Sequence, residues 1–231
     1  MCPDRPDRRA RHLPVQGRGA GDYRREYFDR RGLDRTVIAG LFLLVAATAE
    51  VPVAPLWRER ATAADVERLE NWKEALEIGR SGVTGSGQGA LLAARSPLFH
   101  TDAALAGSDI PQGVYNCSIT KLDGDADGGL PYIAYPAFKC RIVDQNGRKH
   151  FTKLTGSQRT IGWIDKAAGN QSIYLGSLIY HYEDALVPYG QTAKRDQAAV
   201  VQRIGPKRWR MIFPFPAYES KVDVMELTPA E

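Results

Sequence analysis

The most distinctive polar residues of this chain are Lys153, Gln158, Arg159, Tyr189, Arg195 and Arg203, which cluster in sequence around expected strand ends. Cationic side chains gathered in one place hold an anion or a carboxylate-bearing ligand. Guanidinium groups matched one-to-one with carboxylates order loops instead. Both readings stand on the residues alone. In the first, Lys153, Arg159 and Arg203 converge at a barrel mouth beside Gln158, Tyr189 and Arg195. In the second, Arg195-Asp196 and its neighbours form a structural clasp, and Gly156 only permits a bend.

Other chemistries are less well served. Asp123-x-Asp125-x-Asp127-Gly128 has the alternating carboxylates of the first half of a calcium loop, but Ala134 stands where the bidentate Glu belongs. A solvated hairpin loop accounts for it better, so no metal site is expected. Serine hydrolysis needs a nucleophile, a histidine and a carboxylate in reach of one another. Ser157 lies in Thr-Gly-Ser-Gln and not in a Gly-x-Ser-x-Gly elbow, and His100, His150 and His181 are scattered. A hydrolase using Ser157 or an acidic residue such as Glu219 therefore stands as the alternative to a non-catalytic binding module. Gly85-x-Gly87-x-Gly89 follows no strand and misplaces the third glycine of a dinucleotide fingerprint, so no cofactor is implied.

The elements that must position these residues are mostly strands. Three are expected at 114–121, 132–143 and 148–155. Asn146-Gly147 makes a type I′ hairpin turn, which needs positive φ at both central positions, and it pairs Ile142 with Phe151. Centring the Asp- and Gly-rich connection between Gly128 and Gly129 sets Tyr115 opposite Ile142, Cys117 opposite Cys140 and Ile119 opposite Phe138. All six share one face, so Cys117 and Cys140 can close a disulfide. Lys153 shares the face of Phe151, but His150, Thr152 and Leu154 make an equally good inner face, and alternation leaves the choice open. Further strands are expected at 159–165, 172–180, 198–204, 208–213 and 221–227. Across Gly205-Pro206-Lys207, Val200, Gln202 and Ile204 would share a face with Trp209, Met211 and Phe213.

Ahead of the strands, Thr62 caps an amphipathic helix with Val66, Leu69, Trp72 and Leu76 on one stripe, ended by Gly79 and Gly82. Residues 81–89 read as a flexible linker, and 90–94 as an added helical turn. Short strands without crossover helices make the chain mainly β: an antiparallel β-barrel of lipocalin-like or inhibitor-like architecture with an N-terminal amphipathic helix. Its apolar walls would come from Tyr115, Phe138, Phe151, Trp163, Trp209 and Phe213.

Charge and hydropathy divide the chain further. Residues 1–49 hold ten Arg and six Asp or Glu, which leaves 21 basic and 21 acidic residues from Glu50 onward. A nucleic-acid binder keeps its basic footprint on the folded domain, so that class is excluded. The apolar run 37–46 follows Arg30, Arg31 and Arg35 and ends in Ala47-Thr48-Ala49. Positive flank, short apolar core and small-x-small triplet describe a signal peptide, and the run is too short for a stable membrane span. The expected organisation is a leader at 1–49, a helix and Gly-rich linker at 50–110, and a barrel at 111–231. Export to the periplasm or beyond suits a Cys117–Cys140 bridge. The partner would be a small ligand or another exported protein.

The ordered motifs Val114-Tyr115-x-Cys117, Tyr132 to Cys140, Leu154-Thr155-Gly156-Ser157-Gln158-Arg159, Leu175-Gly176, Tyr189-Gly190, Arg195-Asp196, Arg203-Ile204-Gly205, Arg208-Trp209-Arg210, Glu219-Ser220 and Glu226-Leu227 resemble the domain-of-unknown-function family 4893. The resemblance spans roughly Leu56 to Ala230. It implies an exported bacterial protein with a Trp-bearing helix ahead of a β-rich domain. It implies no activity, and no catalytic residue carries over. More loosely, the architecture resembles lipocalin-like and periplasmic protease-inhibitor barrels.

The leader reading makes one firm expectation. N-terminal sequencing of the exported protein should begin at Glu50; retention of residues 37–49 would replace cleavage with a membrane anchor.

Overall fold

The computed structural model describes residues 56–124 and 129–231. The expected leader at 1–49 with its apolar run at 37–46, and Asp125, Asp127 and Gly128 of the half calcium loop, lie outside them. Among the described residues four helices come first: α1 (Leu56–Arg60), α2 (Ala63–Glu70), α3 (Trp72–Gly85) and α4 (Gly89–Ala93). Nine strands follow: β1 (Gly113–Leu122), β2 (Tyr132–Ala134), β3 (Phe138–Gln145), β4 (Arg148–Lys153), β5 (Gln158–Lys166), β6 (Ser172–Tyr180), β7 (Asp196–Gly205), β8 (Arg208–Pro214) and β9 (Val222–Pro229). Every neighbouring pair is antiparallel, and β1 also pairs with β9, which closes the sheet. β2 and β3 lie end to end beside β1, so the wall is an eight-stranded barrel.

Closure gives each strand an inner and an outer face, and the alternation of side chains sorts them. The lumen core holds Tyr115, Cys117, Cys140, Ile142, Phe151, Tyr174, Met211, Phe213, Met225 and Leu227. A second core lies on the outside of the wall. There Leu122, Leu175, Val200, Ile212, Val222 and Val224 pack with Leu69, Trp72, Leu76 and Val83 of α2 and α3. One end of the lumen is sealed by the segment before β1. Ile110 is buried in the lumen core, Tyr115 Oη donates to the Pro111 carbonyl at 2.6 Å, and Trp209 Nε1 donates to the Asp109 carbonyl at 3.0 Å.

Several expectations are met. Thr62 caps α2 through its side chain, accepting from the Asp65 N–H, and Leu69, Trp72 and Leu76 are buried, although the one expected helix is two, α2 and α3, meeting at Asn71. Asn146 and Gly147 both have positive φ, and Ile142 pairs with Phe151. The Cys117–Cys140 disulfide is formed, with its Cα atoms 6.0 Å apart.

The expected register around that bridge is corrected by two residues. Tyr115 pairs with Cys140 and Cys117 with Phe138, so the bridge runs diagonally across the two strands. A shift of two preserves the face, which is why the cysteines still meet. The strand expected at 132–143 is broken at 135–137, around Pro136. The β7–β8 face is also corrected. A bulge between Arg203 and Gly205 shifts the pairing by one residue, so Val200 and Gln202 face out with Ile212 and Arg210. Trp209, Met211 and Phe213 point into the lumen with Ala199 and Val201. Arg210 is fully buried under the helices, donating to Gln202 Oε1 at 2.6 Å and to the Leu98 carbonyl at 2.7 Å, and burial lowers it to about 10.

Gly79 and Gly82 do not end the helix, and 81–85 is not linker: α3 runs on to Gly85. Tertiary packing overrides glycine's low propensity here. A Cβ on Gly79 would meet Val222 Cγ1 at 2.5 Å and Leu122 Cβ at 2.9 Å, so only glycine lets α3 lie this close to β1 and β9. Gly79→Val should therefore cost roughly 1–3 kcal/mol by overpacking. Gly85→Ala, with nothing within 4 Å of its Cβ, should be neutral or gain up to ~1 kcal/mol of helix propensity. Urea unfolding of the two variants checks the opposite signs; equal effects would mean that α3 is not pressed on the wall.

Candidate functional site

Opposite the sealed end, the lumen opens into a cavity of about 260 Å³. All eight strands of the wall contribute to it. Ile119 and Lys121 come from β1, Phe138 from β3, Lys153 from β4, Gln158 and Thr160 from β5, and Leu178 from β6. Gln197 comes from β7, Phe213 from β8, and Asp223 and Met225 from β9. Tyr135, Ser157, Arg159 and Glu219 complete the rim. Below it the lumen is filled, with Tyr174 packed edge-on against Phe151 at 5.5 Å and Phe213 at 6.0 Å. Tyr174 Oη and Thr160 Oγ1 lie 2.5 Å apart, which satisfies both hydroxyls under the floor.

Lys153 is the polar centre of this cavity. The structure chooses Phe151 and Lys153 as the inner face of β4, so the open question of alternation closes in their favour. Only 4 % of Lys153 is exposed. Its Nζ donates to the Gln158 carbonyl at 2.6 Å and sits 3.8 Å above the centre of the Phe138 ring. Among the described residues it has no carboxylate partner. Gly156, at φ +94°, turns the chain directly over it; a Cβ there would come 2.9 Å from Lys153 Nζ and from the Phe138 ring. Burial first, then Lys121 and Arg159, pull the Lys153 ammonium down to about 8.

Lys121 is the opposite case. Its Nζ lies 3.1 Å from both Asp223 and Glu219, and Ser220 Oγ donates to Asp223 at 2.5 Å. Burial pulls Lys121 down, but the two carboxylates outweigh it and leave the group above its ordinary value. Burial dominates at Asp223 and raises it despite Lys121. Sequence reasoning missed Lys121 and Asp223. Strand parity was the available signal, since Lys121 alternates with Cys117 and Ile119, and Asp223 with Met225 and Leu227.

The six expected site residues separate into two groups. Lys153, Gln158 and Arg159 meet at the mouth, where Arg159 Nε is buried without a hydrogen-bond partner. The other three serve loops elsewhere. Tyr189 Oη donates to Asp65 of α2 and accepts the Thr62 N–H; burial first and then Asp65 raise its pKa, against the opposing pull of the Thr62 N–H. Arg195 makes a two-pronged pair with Glu183, not Asp196, and lies 4.4 Å over Tyr180. Asp196 accepts the Gly190 N–H at 2.8 Å instead. Arg203 donates to the Ala106 carbonyl at 2.5 Å and the Gly107 carbonyl at 3.2 Å, near the sealed end. Trp163, expected in an inner wall, faces outward against His150 and Arg148, because Ile164 takes the inward position.

Ser157 and Glu219, named for the hydrolase alternative, both reach the rim. Among the described residues the Ser157 hydroxyl makes no hydrogen bond to a histidine or carboxylate; His181 contacts Ser157 only through its backbone N–H. No group of three or more His, Cys, Asp or Glu that could hold a metal occurs among the described residues. No helix among them is long and apolar enough to cross a membrane.

The sequence model of one family, described as Domain of unknown function (DUF4893), matches residues 57–227. No curated protein and no solved structure matches the chain.

Burying the Lys153 charge has a measurable sign. Its folded pKa of about 8 lies below the ordinary 10.5, so the native state binds the proton less well than the unfolded chain. The resulting penalty is fully present below pH ~8 and fades as pH rises to ~10.5, with an upper limit of ~3 kcal/mol. Lys153→Met should thus be more stable than the parent at neutral pH, and the advantage should shrink across that window. Thermal or urea unfolding of both proteins across the window reads this; a constant or inverted difference would show that the ammonium is solvated in the native state.

Proposed function

Given that this chain belongs to the DUF4893 family, we propose that it is a non-catalytic binding module of an exported protein, whose open barrel mouth takes a small ligand carrying a carboxylate or similar anionic group. The observation that carries this reading is Lys153: an inward ammonium, nearly closed off from solvent, with no carboxylate to neutralise it. Proteins rarely tolerate a buried charge unless it is paired. An anionic ligand would supply the missing partner. Arg159 at the rim adds a second cation without an ion pair among the described residues, and its buried, unpartnered Nε is a donor awaiting an acceptor. The apolar lining of Ile119, Phe138, Leu178, Phe213 and Met225 would take the ligand's hydrocarbon portion.

The same geometry favours a clasp role for Tyr189, Arg195 and Arg203, whose polar groups are already matched. The export reading rests on the leader composition and on the disulfide, which persists in oxidising compartments.

Isothermal titration with short straight-chain carboxylates, against the alcohols of equal length, tests the site. The carboxylates should bind and the alcohols should not. Lys153→Met should weaken binding about tenfold to a hundredfold, the range of a hydrogen-bonded charge interaction. Affinity should fall as pH rises beyond about 8, where the free lysine loses its proton. Equal binding by Lys153→Met, or no carboxylate binding by the parent protein, would end the proposal.

A further inference from the structure

We propose that Lys153 is an imine-forming amine and that the mouth captures small oxo acids, compounds that carry both a carbonyl and a carboxylate. The inference rests on the anion-site reading above and adds a covalent step to it. Two lysines face the cavity, and the structure treats them differently. Lys121 is tied to Asp223 and Glu219 at 3.1 Å each, which keeps it an ammonium. Among the described residues Lys153 has one oxygen acceptor, the Gln158 carbonyl, and the π-face of Phe138. Neither of these holds a second positive charge as a carboxylate would. The chain above Nζ is Gly156, so no side chain from that position caps the amine.

The charged groups facing Lys153 come from each side of the mouth: Lys121 on β1, Arg159 on β5, Glu219 before β9 and Asp223 on β9. With Glu219 and Asp223 engaged by Lys121, the remaining field at Lys153 is positive. That field has two effects of the same benefit to imine chemistry. It disfavours the ammonium, giving at neutral pH on the order of a hundredfold more free amine than an ordinary lysine. It also attracts the carboxylate of the incoming ligand, so the carbonyl carbon arrives beside the nitrogen.

The step balances without a co-reactant. Lys153 releases a proton to solvent, and its nitrogen lone pair attacks the carbonyl carbon. The C=O π pair moves to oxygen, which takes a proton while the nitrogen gives one up, leaving a neutral carbinolamine. A proton from solvent through the open mouth carries the hydroxyl off as water while the nitrogen lone pair forms C=N, and the remaining N–H proton returns to solvent to leave the neutral imine. Amine plus carbonyl gives imine plus water, and nothing is oxidised or reduced.

Incubating the full chain with pyruvate and sodium cyanoborohydride, followed by peptide mass spectrometry, tests the step. The reduced adduct should appear at Lys153 about tenfold or more above any other lysine. Lactate, which lacks the carbonyl, should give none. Labelling should accelerate as pH rises toward about 8, the opposite trend to non-covalent carboxylate affinity. Lys153→Arg keeps the charge without a nucleophilic amine, so it should lose the adduct while still binding butyrate by titration. Lys121→Met should keep the adduct at Lys153. An absent adduct, or one spread evenly over surface lysines, would refute the covalent step; butyrate binding in that case leaves the anion site standing, and no butyrate binding removes both.

Discussion

The pairing of β1 with β9 is the constraint on which this structure depends. Eight residue pairs from Tyr115–Pro229 to Leu122–Val222 join the first long strand to the last and leave only the three-residue β2 with an unpaired edge among the described strands. Closure fixes what every side chain can do. An odd position on β1 must enter the lumen, and an even one must meet the helices or solvent. Lys121 is inside because Cys117 is inside, and Leu122 meets α3 because Lys121 is inside. The charged mouth follows from the same parity that builds the apolar floor, so the cavity and the core cannot be altered independently.

How much of this the sequence disclosed depended on whether a signal was local. The Asn146-Gly147 turn, the Thr62 cap and the limits of β6 follow from neighbouring residues, and they are where the residues place them. The Cys117–Cys140 bridge was legible for a subtler reason: a register error of two leaves every side chain on its proper face, and the two cysteines still meet diagonally. An error of one does not forgive in this way. The bulge between Arg203 and Gly205 inverts β7 relative to the simple turn: Trp209 stays inside as expected, but Val200 and Gln202 turn outward with Arg210. No local feature of Gly205-Pro206-Lys207 announces it. Gly79 failed as a helix stop because its reason lies on another element, at Val222 and Leu122.

The candidate site divides along the same line. Lys153 was only half legible: it shares the face of Phe151, but His150, Thr152 and Leu154 offered an equally good inner face, and the closed barrel decides between them. Tyr189, Arg195 and Arg203 carry equally suggestive side chains, yet their partners are Asp65, Glu183 and two carbonyls of residues 106 and 107. Those partners lie up to 124 positions away in sequence, as for Tyr189 and Asp65. A cluster of cations in sequence therefore contained one cavity group and one set of loop fasteners, and only the fold separates them.

Lys153 also has a thermodynamic meaning that links the wall to the site. Its buried charge costs up to ~3 kcal/mol at neutral pH. The Cys117–Cys140 bridge, closing a separation of 23 residues, contributes roughly the same amount by restricting the unfolded chain. That bridge joins β1 to β3, two staves that carry Lys121 and Phe138 at the cavity wall. One of the two staves that flank β4 and its ammonium, β3, is thus pinned covalently. On the proposed reading, a ligand anion that pairs with Lys153 would remove the penalty only in the folded state, and that energy would return as affinity. A mouth built for stability alone would have placed a methionine at this position. An ammonium kept there, held by a carbonyl and a ring and overlain by a glycine, is the arrangement that the proposed anion site would account for.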